Sequence, residues 1–198
     1  IIDQGGIGTI RLIQADFGFR AQDPPAQRLF DPRLGGGSLL DIGIYPVFLA
    51  QSFLGKPIDI QALITPQETE IDEQCVMIMK FHSGDLAVLS STFLADTPVE
   101  AVIAGTKARI HMRNRFHNFM ASVEVIDDKD EIKHIETERE DGFGYQFEAR
   151  HVGECLRKGL TESPVMTFQH SLDLMETLDR IRKVAGIRYP VDTNALDR

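Results

Sequence analysis

Residues 74–93 read QCVMIMKFHSGDLAVLSSTF, and this stretch decides the fold. Two apolar runs, near 74–81 and 86–93, are separated by Ser83-Gly84, a pair that is typical of a tight turn. The pattern predicts two neighbouring antiparallel strands. Successive side chains of a strand point to opposite faces, so apolar residues at odd and even positions indicate a sheet that is apolar on both faces.

Further strands are expected on both sides of this hairpin, near 9–19, 59–66, 99–104, 107–112, 119–126 and 131–137. Short connections between consecutive strands indicate an antiparallel meander. Helices are predicted near 38–54, 145–158 and 168–185, each followed by a glycine that ends it. The last helix should bury one apolar face, formed by Phe168, Leu172, Met175, Leu178, Ile181 and Ala185. The predicted fold class is therefore α+β: a large open, mainly antiparallel β-sheet with about three helices on one face.

Three helices can cover one face of such a sheet and leave the other open. The central strands nevertheless supply apolar residues of both parities, namely Val76, Ile78, Leu86, Val88, Leu89, Val123 and Val125. Monomers rarely expose a patch of that size, so we predict that the chain pairs with a second copy of itself through the uncovered face.

Composition excludes several classes of partner. The net charge is −9 and no segment concentrates Lys and Arg, which argues against nucleic acid and anionic membrane surfaces. No run of 18 apolar residues and no basic leader is present, so we expect no membrane span and a cytoplasmic location. Cys75 and Cys155 are expected to be buried free thiols, and the six histidines, none of them paired at ligand spacing, predict no metal site.

The densest motif is LGGGSLLDIGIYP, residues 34–46. Its glycines allow a close backbone approach beside the free N–H groups of a helix start. Asp41 and Tyr45 are four residues apart, so on a helix their Cβ atoms lie about 5–6 Å apart on one face. A carboxylate beside a phenol can hold a hydroxylated substrate and pass a proton. Pro46, which lacks an N–H, should kink the helix or free a carbonyl.

A second interpretation of the same motif is purely structural. Ser38 and Asp41 also fit a variant of the capping box, in which the carboxylate accepts the Ser38 backbone N–H. Tyr45 would then be an ordinary packing residue. Spacing by itself leaves both interpretations open.

Residues 35–46 closely resemble a signature of the glucose–fructose oxidoreductase, inositol dehydrogenase and rhizopine-catabolism (Gfo/Idh/MocA) family. Further stretches resemble its dimeric dihydrodiol and xylose dehydrogenase branch, namely 8–19, 72–74, 90–91, 104–108 and 145–152. The resemblance extends over nearly the whole chain. It implies the fold of a glyceraldehyde-3-phosphate dehydrogenase-like C-terminal domain.

The resemblance also implies roles for particular residues. Asp41 falls on the family's active-site aspartate, and Tyr45 falls where members carry a catalytic Tyr or His and contact the nicotinamide side of the cofactor. The candidate substrate-binding residues are Phe17, Phe19, Arg20, Gly37 and Tyr145. His151 is expected to be a packed or capping residue rather than a substrate ligand.

The family binds NAD or NADP in an N-terminal Rossmann domain with a G-x-G-x-x-G turn, and takes a lysine from a Glu-Lys-Pro motif. No such turn follows a strand here, and Gly55-Lys56-Pro57 stands at a predicted helix end, where it is a stop signal. We therefore expect residues 1–198 to be a substrate-binding and dimerisation domain whose Rossmann domain is absent from this chain. The chain alone is expected to be inactive.

The resemblance implies reversible hydride transfer between NAD(P) and a small polyhydroxylated substrate: a sugar, a cyclic polyol or a dihydrodiol. A tyrosine phenol has an ordinary pKa near 10, so the family's lysine would be needed to lower it. Two alternatives remain: a non-enzymatic sugar- or cofactor-sensing regulator on the same scaffold, and a dimerisation domain without a ligand.

Overall fold

The computed structural model of the chain describes residues 1–21, 27–66, 71–136 and 140–194. Within them one eight-stranded sheet is formed, and every predicted strand is present. The strands are β1 Ile10–Gly18, β2 Asp59–Pro66, β3 Asp72–Lys80, β4 Leu86–Thr92, β5 Ala101–Gly105, β6 Ala108–Arg113, β7 Ser122–Asp127 and β8 Ile132–Ile135. The last residue of the strand predicted at 131–137 lies outside the described residues.

The predicted helices are also present, with added short elements. The helical segments are α1 Gln27–Phe30, a 3₁₀ turn Pro32–Leu34, a π-helical turn Leu39–Gly43, α2 Ile44–Leu54, α3 Tyr145–Arg157, α4 Phe168–Ala185 and α5 Pro190–Asn194. The helix predicted at 38–54 is thus π-helical in its first turn. Pro46 has no N–H for the carbonyl one turn earlier, and the irregular turn lies directly before it.

The sheet order is β2-β3-β4-β1-β5-β6-β7-β8. The hairpin of 74–93 is confirmed, since β3 and β4 are antiparallel with Ile78 opposite Val88. The simple meander is wrong at one point, because β1 lies between β4 and β5 and runs parallel to β4, with Leu12 opposite Leu86. Local apolar periodicity predicts that β1 is a strand, but it does not indicate which two strands β1 pairs with.

One face of the sheet carries the core. Met77, Leu89, Ile13 and Ile103 are fully or almost fully buried there, in a single cluster with Leu178 of α4. Helices α2 and α4 contact the sheet on this side. Helix α3 buries none of its described residues, so two long helices supply most of the cover.

The other face is open. Leu63 is 80% exposed, and Val76, Ile78, Leu86 and Val88 are exposed as well. These five residues share a parity across β2, β3 and β4, and we call them the open apolar patch. The other three apolar residues that the sequence named for the central strands have the opposite parity and lie on the covered side: Leu89, Val123 and Val125.

Helix α4 buries a different face from the one predicted. Leu178 and Ile181 are buried as expected, but Phe168, Leu172 and Met175 are exposed. Leu174 and Thr177 are buried in their place. The apolar stripe of α4 is wider than the sheet edge that receives it, so burial follows the position of β2 and not the width of the stripe.

The segment Pro32–Leu54 is long and apolar enough, by length and composition alone, to cross a membrane. It is not one continuous α-helix, because a 3₁₀ turn and a glycine loop interrupt it before the π-helical turn. Leu39, Val47 and Ala50 are completely buried against the sheet. Its apolar content is therefore that of a helix packed in a core.

The two thiols should differ in reactivity. Both cysteines are free, Cys75 is buried, and burial raises the pKa of its thiol to about 12, whereas Cys155 is partly exposed. Because the thiolate is the nucleophile, we expect iodoacetamide at pH 8 to label Cys155 quickly and Cys75 only after unfolding in urea. Peptide mapping by mass spectrometry measures this. Rapid labelling of Cys75 in the folded protein would contradict the packing of β3.

Candidate functional site

The glycine-rich loop ends against a buried carboxylate from the sheet. Asp72, at the start of β3, accepts hydrogen bonds through Oδ2 from Ser38 Oγ at 2.7 Å and from Leu39 N at 2.6 Å. Ser38 Oγ also lies 2.9 Å from Ser91 Oγ of β4. Asp72 is completely buried, and burial raises the pKa of its carboxyl more than these hydrogen bonds lower it. A side chain distant in sequence thus caps the π-helical turn.

Gly37 is required by this arrangement. Its φ of +105° is in the left-handed region, and a Cβ at this position would lie 2.6 Å from Asp72 Oδ1. Gly37 is itself buried, so the loop passes close to Asp72 rather than to open solvent. The loop is not a free phosphate cradle: Gly36 N and Gly37 N donate to the carbonyls of Asp31 and Leu29.

Asp41 does not form the capping box. No side-chain cap bond is made at Ser38, and Asp41 Oδ1 instead accepts from Arg28 Nη2 at 2.5 Å. The Asp41 side chain is 18% exposed, and its Oδ2 has no partner among the described residues. One carboxylate oxygen is therefore held by a guanidinium, while the other is available to a hydroxyl group.

Tyr45 lies in an aromatic group at the carboxyl end of β1. Its ring centroid is 5.5 Å from that of Phe17 and 5.0 Å from that of His117. Phe17 and His117 are stacked, with centroids 4.3 Å apart and planes 14° apart. Tyr45 is 43% exposed, and its hydroxyl has no hydrogen-bond partner in the described part of the chain. We call Phe17, Tyr45 and His117 the aromatic wall.

His117 is the polar member of the wall. Its Nδ1 is buried and has no partner among the described residues. Burial and the nearby Arg115 guanidinium lower the pKa of the imidazole, so it is neutral near pH 7. The stacked rings and the half-open Tyr45 form a compact apolar group with polar atoms at its edge, an arrangement that suits a ring with hydroxyl substituents.

The other candidate residues are not part of this wall. The Phe19 ring packs on Phe93, 5.3 Å away, and Arg20 is exposed, with its main-chain N bonded to Asp96. Tyr145, at the start of α3, is 73% exposed and has no ring partner among the described residues. Their roles in substrate binding stay predictions.

Two residues expected to be structural make structural contacts. His151 Nε2 lies 2.8 Å from Ser163 Oγ. Lys56 forms ion pairs with Asp173 and Glu176, which connects the end of α2 to α4. No group of three His, Cys, Asp or Glu side chains that could hold a metal occurs in the described ranges.

Sequence reasoning assigned no role to three residues that define the site. Asp72 stood in one of the matching stretches, but nothing local indicated that it caps a turn more than thirty residues earlier. His117 was considered only as a metal ligand, although the pattern Phe116-His117-x-Phe119 is a usable aromatic signal. No sequence pattern pointed to Arg28, because Arg28 and Asp41 are 13 residues apart and do not lie on one face of a single helix.

Comparison with known sequences identifies relatives along most of the chain. The profile of the GFO/IDH/MocA C-terminal domain matches residues 1–111. A trans-1,2-dihydrobenzene-1,2-diol dehydrogenase from Xenopus tropicalis is 34% identical over 198 residues, and the match spans 96% of this chain and 58% of that protein. The human protein of the same name is 31% identical over 201 residues, with 97% and 58% covered. The chain thus spans less than two thirds of these relatives' length.

Solved structures share the fold. An aldose–aldose oxidoreductase from Caulobacter crescentus, complexed with glycerol, superposes with a TM-score of 0.79 at 22% identity, over 93% of this chain and 56% of that one. A 3-ketoreductase from Actinomadura kijaniata, in complex with NADP and TDP-benzene, gives 0.75 at 24% identity, over 93% and 56%. The α+β fold with an open sheet is therefore that of known oxidoreductase domains.

Gly35 and Gly37 provide a matched test of the contact with Asp72. Both have left-handed φ, but a Cβ on Gly35 would meet nothing within 4 Å. We expect Gly35→Ala to lower the free energy of unfolding by about 1 kcal/mol, the cost of the backbone conformation alone. Gly37→Ala should cost about 1–3 kcal/mol more, because it also forces the loop away from Asp72. Urea unfolding measures both, and equal losses would show that the close approach is unimportant.

Proposed function

The chain belongs to the GFO/IDH/MocA family, and from that membership we propose that it is the substrate-binding part of an NAD(P)-dependent oxidoreductase acting on a sugar, a cyclic polyol or a dihydrodiol. The observation that carries the proposal is the position of Tyr45, which is half exposed and packs against Phe17 and His117. It lies one turn after Asp41, whose Oδ2 has no partner among the described residues. The names of the relatives, all dehydrogenases of a cyclic diol, support the substrate class.

Oxidation of an alcohol removes a hydride from carbon and a proton from oxygen. NAD or NADP, when bound, supplies the hydride acceptor. We propose that Tyr45 takes that proton as a phenolate and returns it as a phenol, with its ring held by Phe17 and His117. The phenolate needs a nearby cation, which the lysine implied by the family resemblance would supply from the nucleotide-binding domain. Asp41 Oδ2 accepts a hydrogen bond from the substrate and orients it, while Arg28 keeps the carboxylate in position.

Among the described residues, we propose Tyr45 as the point of contact with the cofactor. Tyr45 presents an exposed aromatic edge against which a flat nicotinamide ring can lie. The cofactor phosphates have no obvious place here, because the N–H groups of the glycine loop and Leu39 N are already bonded. We therefore propose that the nucleotide is held mainly by a separate domain, and that this chain alone does not turn over substrate.

We also propose that the chain is a homodimer joined through the open sheet face. The open apolar patch, Leu63, Val76, Ile78, Leu86 and Val88, is contiguous across three strands and faces away from the helices. Toward β6 and β7 this face carries charged side chains, as in the pairs Arg113–Glu124 and His111–Glu100. An apolar centre with a polar margin is the usual composition of an interface between subunits.

The two free thiols support a reducing compartment, and hence the cytoplasmic location expected from sequence. A sensing role on the same scaffold predicts ligand binding without turnover. The proton-carrying geometry at Tyr45 favours the enzyme.

Tyr45→Phe in the full-length protein tests the catalytic proposal. We expect kcat for NADP⁺-dependent oxidation of trans-1,2-dihydrobenzene-1,2-diol to fall by roughly 10²–10⁴, the usual size of an acid–base contribution, because only the phenolic oxygen is removed. Tyr145→Phe is the matched variant. Because Tyr145 is predicted to bind substrate and not to carry a proton, any loss in Tyr145→Phe should appear in KM, and kcat should stay within about twofold. Wild-type turnover by Tyr45→Phe would leave Tyr45 as a packing residue only.

Charge placed in the open apolar patch tests the dimer. Val76→Lys combined with Ile78→Lys should convert the protein to a monomer in sedimentation equilibrium, because two ammonium groups cannot be buried without partners. Leu172→Lys is the control, since Leu172 is equally apolar and exposed but lies on α4, on the covered side. It should remain dimeric. A monomeric wild type would refute the interface outright.

A further inference from the structure

His117 is a member of the aromatic wall with polar ring atoms that the proposed proton transfer does not use. Its ring is stacked on Phe17 at 4.3 Å, the tilted Tyr45 ring lies 5.0 Å away, and the Phe116 ring meets it edge-on at 5.7 Å. These contacts fix the plane of the imidazole. A ring held in this way has only its nitrogen atoms left to make specific interactions.

The two nitrogens of His117 have different surroundings. Nδ1 is buried without a partner, whereas Nε2 is not buried and makes no hydrogen bond with any described residue. A neutral imidazole carries one N–H, and an orphaned buried N–H is rarer in proteins than an under-satisfied acceptor. The proton therefore belongs on Nε2. The wall thus presents a fixed N–H donor at its edge, beside Tyr45.

We propose that His117 is a specificity-determining residue that donates from Nε2–H to the oxygen next to the reacting hydroxyl of the substrate. The inference rests on the proposed function and deepens it. Tyr45 engages the reacting hydroxyl, Asp41 Oδ2 orients the substrate, and His117 at the edge of the aromatic wall engages the neighbouring oxygen. The preferred substrates are then vicinal diols, and compounds with a single hydroxyl group lack this contact.

A structural role for His117 makes a different prediction for stability. The buried, unpaired Nδ1 costs free energy, and a phenyl ring would keep the stack while removing that atom. His117→Phe should therefore leave Tm unchanged or raise it. If His117 served packing alone, His117→Phe would not lose activity while keeping its stability.

The experiment uses His117→Phe in the full-length protein with NADP⁺ and two probes, trans-1,2-dihydrobenzene-1,2-diol and cyclohex-2-en-1-ol. We expect kcat/KM for the diol to fall about tenfold, chiefly through KM, which is the effect of one lost neutral hydrogen bond. The value for the single alcohol should be unchanged. His82→Phe, in the exposed turn after β3, is the control and should match the wild type with both probes.

Other outcomes overturn the inference. Unchanged kinetics with the diol, or equal losses with diol and alcohol, would show that His117 does not contact the second oxygen. A lower Tm in His117→Phe would assign the residue to packing. If the wild type oxidises neither probe, the proposed function fails separately. Saturation-transfer NMR with the diol then decides: a signal in the wild type that is lost in His117→Phe supports the contact, and any other result refutes it.

Discussion

A single buried carboxylate connects the sheet to the site. Asp72 receives both the Ser38 hydroxyl and the Leu39 N–H, so the start of the helical segment is tied to β3, and the Ser38–Ser91 contact extends the tie to β4. A buried carboxylate is costly unless it is hydrogen-bonded, and these donors have no equivalent replacement in the apolar core. The positions of Asp41 and Tyr45 therefore depend on a residue that contacts neither of them.

The same region is fixed from the other side by the end of the chain. Tyr189 donates its hydroxyl to the Gly36 carbonyl at 2.6 Å, and the Arg182 guanidinium lies 4.7 Å from the Tyr189 ring. Burial and the nearby Asp72 raise the pKa of this phenol, so it remains a donor at any ordinary pH. The glycine loop is thus clamped between β3 and the segment after α4.

The two faces of the sheet have different roles. The covered face carries the core and, at the carboxyl end of β1, the aromatic wall; the open face carries the apolar patch. Because successive residues of β1 and β4 alternate between these faces, Ala15 and Leu89 support the core while Gln14 and Val88 face outward. The site and the proposed interface are therefore built from the same strands. Packing on either face stabilises strands that both of them need.

The sequence by itself determined the strands, the long helices and their glycine ends, because alternation and left-handed stops such as Gly186 are local properties. It also indicated Asp41 and Tyr45, since a helix places residues four apart together. Only the tertiary structure decided that β1 enters the centre of the sheet, that Asp72 and not Asp41 caps the turn, and that His117 joins Tyr45. Each of these joins residues far apart in the chain, and no local pattern records which distant surfaces meet.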